Sequence, residues 1–136
     1  ILSRTELLVL NKEEACLLVG HDEMEGLLFK LKGLGPRIVV ITDGKNHLFV
    51  MDNDYVYSAF PPPVKIVDAT GAGDAFAASF LSGVIRKKGV EFAIKLGIIN
   101  AQSVVKYYGA KNILLNYRET LRIMKNFKVK ISKRKI

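Results

Sequence analysis

Several things are scarce in this chain, and each scarcity removes a class of function. A single cysteine, Cys16, cannot close an internal disulfide and has no metal-ligand partners nearby, which fits a reducing cytoplasm. The two histidines, His21 and His47, lack metal-ligand spacing and receive no role. Charges or turn residues interrupt every apolar run before it reaches spanning length, so neither a transmembrane helix nor a membrane partner is expected. No cationic segment followed by an apolar stretch and a small-residue cleavage site opens the chain, so no signal peptide is expected either. The sequence G-x-x-x-x-G-K-[ST] is absent, which excludes a P-loop site as a motif match. There is no initiator Met, and Ile1 to Arg4 run straight into an apolar strand, so we expect a chain cut from something longer.

What is present suits one globular domain, taken as residues 1–136 with a basic tail over 125–136. The 136 residues are 49% hydrophobic and 25% charged, enough to bury a sizeable core. The net charge of +8 raises nucleic acid as a partner. Much of that excess lies in "KNFKVKISKRKI", with no aromatic stacking pattern beside it. A solvated tail or basic surface is the preferred reading, and no nucleic-acid partner is expected. A basic domain also suits a phosphorylated small ligand.

Strand-like and helix-like stretches alternate. "ELLVL" reads as a strand, after which Asn11 caps a helix running to about Val19 and closed by Gly20. Asp22 is expected to cap the next helix, whose Leu27, Leu28 and Leu31 share a face before "GLGP" stops it. "RIVVIT" has the continuous β-branched character of a strand buried on both faces. "HLFVMD" and "YVYSAF" flank a hairpin turn at "ND", and "VKIVD" reads as a further strand. Three helices follow: "AFAASFLSGVIRKK" up to Gly89, "VEFAIKLGIINAQSVVKYY" up to Gly109, and one started by Asn116 with Glu119. The expected class is α/β, a mostly parallel sheet flanked by helices with a local β-hairpin.

One stretch carries chemistry. In "VDATGAGDAF" an apolar strand meets a glycine-rich turn and then a helix start. The first amides of a helix have no intrahelical acceptor and carry partial positive charge. Gly71, Ala72 and Gly73 would let that backbone come close to an anion such as a phosphate. Asp74 stands at the same helix entrance, where a carboxylate repels phosphate. It makes sense there as a base that takes a proton from an attacking hydroxyl while the amides hold the departing charge. The alternative is an ordinary βα turn with an Asp cap, but Asp68, Thr70 and the small-residue helix make that combination less ordinary.

"DATGAGDAF" resembles the C-terminal signature of the ribokinase-like (PfkB) carbohydrate kinases, D-T-x-G-A-G-D, with Ala69 in place of Thr. Other stretches follow the same family's order. Asn11 and Glu14 in "LNKEEA" resemble its N-x-x-E motif, "ITDG" its T-x-G turn, "GIINAQSVV" its adenine-side helix and "YYGAKN" the loop after it. The resemblance covers nearly the whole chain but only the C-terminal half of the family's fold.

The resemblance implies ATP-dependent transfer of the γ-phosphoryl group to a hydroxyl of a small sugar or nucleoside-like substrate. Asp74 is then the base, and Gly71, Ala72 and Gly73 form the anion hole. Asn11 and Glu14 would organise Mg²⁺ and phosphate, the carboxylate acting through a metal-bound water. Thr42, Gly44, Asn100 and Gly109 would line the nucleotide. Asp68 and the carbonyl of Thr70 would hold a monovalent cation such as K⁺. A homodimer through the absent N-terminal half is compatible with the family. Asn-x-x-Glu is also the spacing of a capping box, repeated at Asn116/Glu119 and, as Asp-x-x-Glu, at Asp22/Glu25. The competing function is a non-catalytic nucleotide- or anion-binding fragment, or a degenerate relative.

Overall fold

The computed structural model describes residues 2–106 and 114–136. They form two compact units, one of Ile1–Pro61 with Lys130–Ile136 and the other of Pro62–Val129.

The first unit is a five-stranded sheet in the order β1-β2-β3-β4-β5, carrying two helices. Strand β1 (Leu7–Asn11) leads into α1 (Lys12–Val19) and α2 (Met24–Gly33), which return the chain to β2 (Ile38–Thr42) parallel to β1. Leu27, Leu28 and Leu31 are buried on α2 as their helical spacing predicts. They join Ala15 of α1 and Val39 and Ile41 of β2 in one hydrophobic cluster. The "IVVI" run of β2 is buried throughout, because the strand is covered on both faces. Hairpin β3 (Leu48–Met51) to β4 (Tyr55–Phe60) turns at the expected "ND". There Asp52 Oδ1 accepts from the N–H of Asp54 at 2.8 Å and of Tyr55 at 2.7 Å, an Asx turn.

The α/β class holds, but the sheet is mixed and not mostly parallel: β1–β2 is parallel, and β2–β3, β3–β4 and β4–β5 are antiparallel. Connection length explains the first three pairings. A parallel return takes a crossover of about a dozen residues or more, which the α1–α2 segment supplies between β1 and β2, whereas β2–β3 and β3–β4 are joined by short turns. Strand β5 follows β4 only after three helices and still pairs antiparallel. The basic tail is corrected too. Residues Lys130–Lys135 form β5, paired with β4 from Tyr55↔Lys135 to Phe60↔Lys130. Its lysines protect an edge strand from further pairing, and Lys133 Nζ lies 3.9 Å from the centre of the Tyr55 ring.

The expected Asp22 cap is also replaced. Glu23 is the N-cap of α2, without a side-chain bond. Asp22 Oδ1 accepts from the N–H of Glu23, and its Oδ2 pairs with Lys30 Nζ at 2.8 Å. The Lys30 hydrogen bond, then the Glu23 N–H, hold the Asp22 carboxyl below its ordinary pKa.

The second unit is helical. It contains α3 (Ala72–Ile85), α4 (Val90–Val105) and α5 (Tyr117–Met124). Helices α3 and α4 lie antiparallel at close range, with Gly83 against Ala93 and Gly97 against Phe76. The predicted end of the middle helix at Gly109 lies outside the described residues, which follow α4 to Lys106. "VKIVD" is not a strand. Three consecutive prolines precede it and have no N–H to give a ladder. Its own Val67 and Asp68 amides turn to the carbonyl of Val105 at the end of α4, at 2.8 and 3.3 Å. No helix among the described residues is long and apolar enough to cross a membrane.

Candidate functional site

The glycine-rich turn sits at the start of α3. Asp68 Oδ1 accepts from the N–H of Thr70 at 2.9 Å, which bends the chain two residues ahead of the glycine. Gly71 is the N-cap, in the left-handed region at φ 78° and ψ 0°, a conformation that favours glycine. The turn closes with the Ala72 N–H on the carbonyl of Ala69 at 3.2 Å. Ala72 is therefore partly engaged in the turn, whereas no acceptor among the described residues meets the N–H of Gly73 or Asp74. The helix has no side-chain cap, and Gly73 and Asp74 are exposed. Open amides, a positive helix end and an exposed carboxylate thus share one turn, the combination that the sequence predicts.

A second group lies in the other unit, at the carboxyl ends of the parallel pair. Asn11 and Thr42 are register partners at the last positions of β1 and β2. Ligands of α/β sheets bind outside such strand ends. Asn11 caps α1: its Oδ1 accepts from the N–H of Glu14 at 2.8 Å, and Glu14 Oε2 accepts from the N–H of Asn11 at 2.9 Å. Asn116 and Glu119 repeat this capping box at α5, at 2.9 and 2.8 Å. Glu14 is exposed, so its carboxylate suits a water-mediated hold on Mg²⁺ while it caps. Gly44 takes φ 55° in the turn where Asp43 and His47 bond across the β2–β3 connection.

Asn100 is engaged in structure. It is buried on α4, and its Oδ1 accepts from the Leu115 N–H at 3.0 Å. Its Nδ2 faces the Leu115 carbonyl at 3.4 Å and Thr120 Oγ1 at 3.5 Å. The side chain so fixes the approach to α5. Gly109 lies outside the described residues. No group of three or more His, Cys, Asp or Glu suited to a metal occurs among the described residues. His47 packs edge-on against Phe60, ring centres 4.0 Å apart. Gln102, passed over in the sequence, bonds the carbonyl of Pro62 through Nε2 at 2.6 Å, a contact that no local pattern announces.

Comparison with known proteins gives the family. Residues 1–116 match the pfkB family carbohydrate kinases, and the chain belongs to that family. It is 38% identical over 111 residues to the cytidine kinase of Thermococcus kodakarensis, a match covering 80% of this chain and 40% of that enzyme. The fructoselysine 6-kinase of Escherichia coli is 34% identical over 92 residues, 65% of this chain and 35% of that one. The chain therefore spans well under half the length of these curated relatives. Among solved structures, the ribokinase of Thermotoga maritima superposes with a TM-score of 0.84 at 25% identity, covering 93% of this chain and 44% of that one. The Arabidopsis thaliana ribokinase, solved with ribose and ATP, shares the fold with a TM-score of 0.83 at 23% identity over 91% of this chain and 42% of that one.

Proposed function

We propose that this chain carries the phosphoryl-handling part of an ATP-dependent kinase whose acceptor is a hydroxyl of a small sugar or nucleoside. The observation that carries the reading is the uncapped start of α3, where left-handed Gly71 and the open Gly73 and Asp74 amides accompany an exposed Asp74 carboxylate. Cytidine kinase and fructoselysine 6-kinase among the relatives support the acceptor class.

In this reading Asp74 accepts the proton of the acceptor hydroxyl as its oxygen bonds to the γ-phosphorus. The bond from phosphorus to the β,γ-bridging oxygen breaks, and ADP leaves with that electron pair. The amides of Gly71 and Gly73, with a smaller share from Ala72, stabilise the charge on the transferring group; the Asp74 amide adds a further donor. Mg²⁺, when bound, screens the phosphate charge. Glu14 would hold it through water, with Asn11 fixing the carboxylate. Thr42 and Gly44 would line the nucleotide. Asn100 would act on it through the approach to α5, given its bonds to Leu115. A monovalent cation at Asp68 and the Thr70 carbonyl would make turnover depend on K⁺ over Na⁺.

Asp74→Asn in the intact protein tests the base. Shape is retained, so folding and nucleotide affinity should persist. Turnover should fall about 10²-fold or more, the scale of general-base catalysis. Near-normal turnover with Asn at this position would remove the base from the mechanism.

A further inference from the structure

We infer that Gln102 is a positioning residue for the 68–74 turn, acting through the backbone that leads into it; the inference rests on the kinase reading above. Residues 62–68 have no regular secondary structure. Packing holds them weakly, since Ile66 is 44% and Val67 37% exposed. Hydrogen bonds to α4 hold the segment at both ends. At the far end, the Val67 and Asp68 amides share the carbonyl of Val105. At the near end, Gln102 Nε2 donates to Pro62 O at 2.6 Å. A carbonyl can only accept, so the amide nitrogen must face it.

Gln102 and Val105 are three apart on one helix, hence neighbours on one face. That face grips the segment at two points and sets where Asp68 begins its turn. Asp68 in turn bonds Thr70, directly before Gly71. Pro62 also explains why a side chain is used. With proline at 61, 62 and 63 the backbone has no N–H to offer a partner, so its anchoring must come through a carbonyl and an external donor. The Val105 contacts are main-chain and survive any substitution there. The Gln102 tether does not.

The test compares Gln102→Glu, Gln102→Ala and Gln102→Lys in the intact protein. Glu keeps the shape but loses the donor, Ala loses the arm, and Lys keeps a donor on a long stem. Hydrogen exchange is followed over peptides spanning residues 64–74, alongside kinetics with Mg²⁺-ATP and cytidine, adenosine, ribose or fructose 6-phosphate. With Glu or Ala, exchange at 68–72 should quicken at least threefold while the α3–α4 core stays protected. The value of kcat should fall three- to tenfold with the ATP KM within twofold, and Lys should restore both. Unchanged exchange at 68–72 overturns the inference, as does uniform loosening of the helices with kcat untouched, the sign of a merely structural contact. A wild type that phosphorylates none of the acceptors, with the local exchange response still seen in the Glu and Ala variants, sinks the kinase reading and leaves the tether standing.

Discussion

Gly73 separates two demands that glycines often confound. A Cβ built on it meets nothing within 4 Å, and its φ lies outside the left-handed region, so the fold itself does not require glycine there. Alanine should leave the melting temperature unchanged or raise it, given a helix preference of up to about 1 kcal/mol over glycine. Turnover should nonetheless fall at least about tenfold if a phosphoryl group must reach the open amides, since a lost oxyanion donor costs at least that. Thermal melts and steady-state kinetics on Gly73→Ala check both halves. Unchanged turnover would mean that no ligand comes within reach of a Cβ at this position. Gly71, by contrast, sits at φ 78°, where a side chain costs roughly 1–2 kcal/mol whatever the ligand.

At the scale of elements, the two capping boxes provide an internal control. Glu14 and Glu119 make the same pair of bonds at α1 and α5. Changing either to Gln should cost at most about 1 kcal/mol of stability, the usual worth of a cap. Only Glu14→Gln should raise the Mg²⁺ concentration needed for half-maximal rate. Equal small stability losses with no Mg²⁺ effect would reduce Asn11 and Glu14 to a cap. The α3–α4 pair gives a purely structural prediction. A Cβ on Gly83 would stand 2.7 Å from the Cα of Ala93, which is backbone and cannot swing aside. Gly83→Ala should therefore lower unfolding free energy by about 1–3 kcal/mol, as overpacking does; a urea midpoint equal to wild type would contradict it. The features legible in the sequence share one property: their signals are local. The Asn11 and Asn116 caps, the Asp52 turn, the buried "IVVI" and the Asp68–Asp74 turn each declare themselves within a few residues. Those not legible depend on distant partners. The tail is a strand because β4 offers an edge to it, and 62–68 is not one because α4 takes its amides. The hold of Asn100 on Leu115, fifteen residues on, is likewise invisible in the local pattern around it.

For the molecule as a whole, charge and coverage decide what to expect. The +8 excess is partly absorbed by β5, where Lys130, Lys133, Arg134 and Lys135 line an edge strand and Arg134 pairs with Glu25 at 3.0 Å. A lysine-rich edge is a device against strand pairing, so the basic charge does not by itself call for nucleic acid. Coverage matters more. Apart from Asp74, which takes the proton of the acceptor hydroxyl, every residue given a ligand here handles phosphate, metal or nucleotide, and none is assigned to binding the body of the acceptor. The chain spans 40% of the cytidine kinase to which it is 38% identical. Holding both reactants in place supplies about 7–11 kcal/mol of a bimolecular barrier, so a chain that positions only one of them forfeits most of the rate. Residues 1–136 purified alone should bind Mg²⁺-ATP weakly by calorimetry and transfer no labelled phosphate to cytidine, adenosine, ribose or fructose 6-phosphate. The intact protein should phosphorylate at least one of these under the same conditions. Robust transfer by the 136-residue chain would show that acceptor positioning is already within it, and would move the search for acceptor-binding residues into these two units.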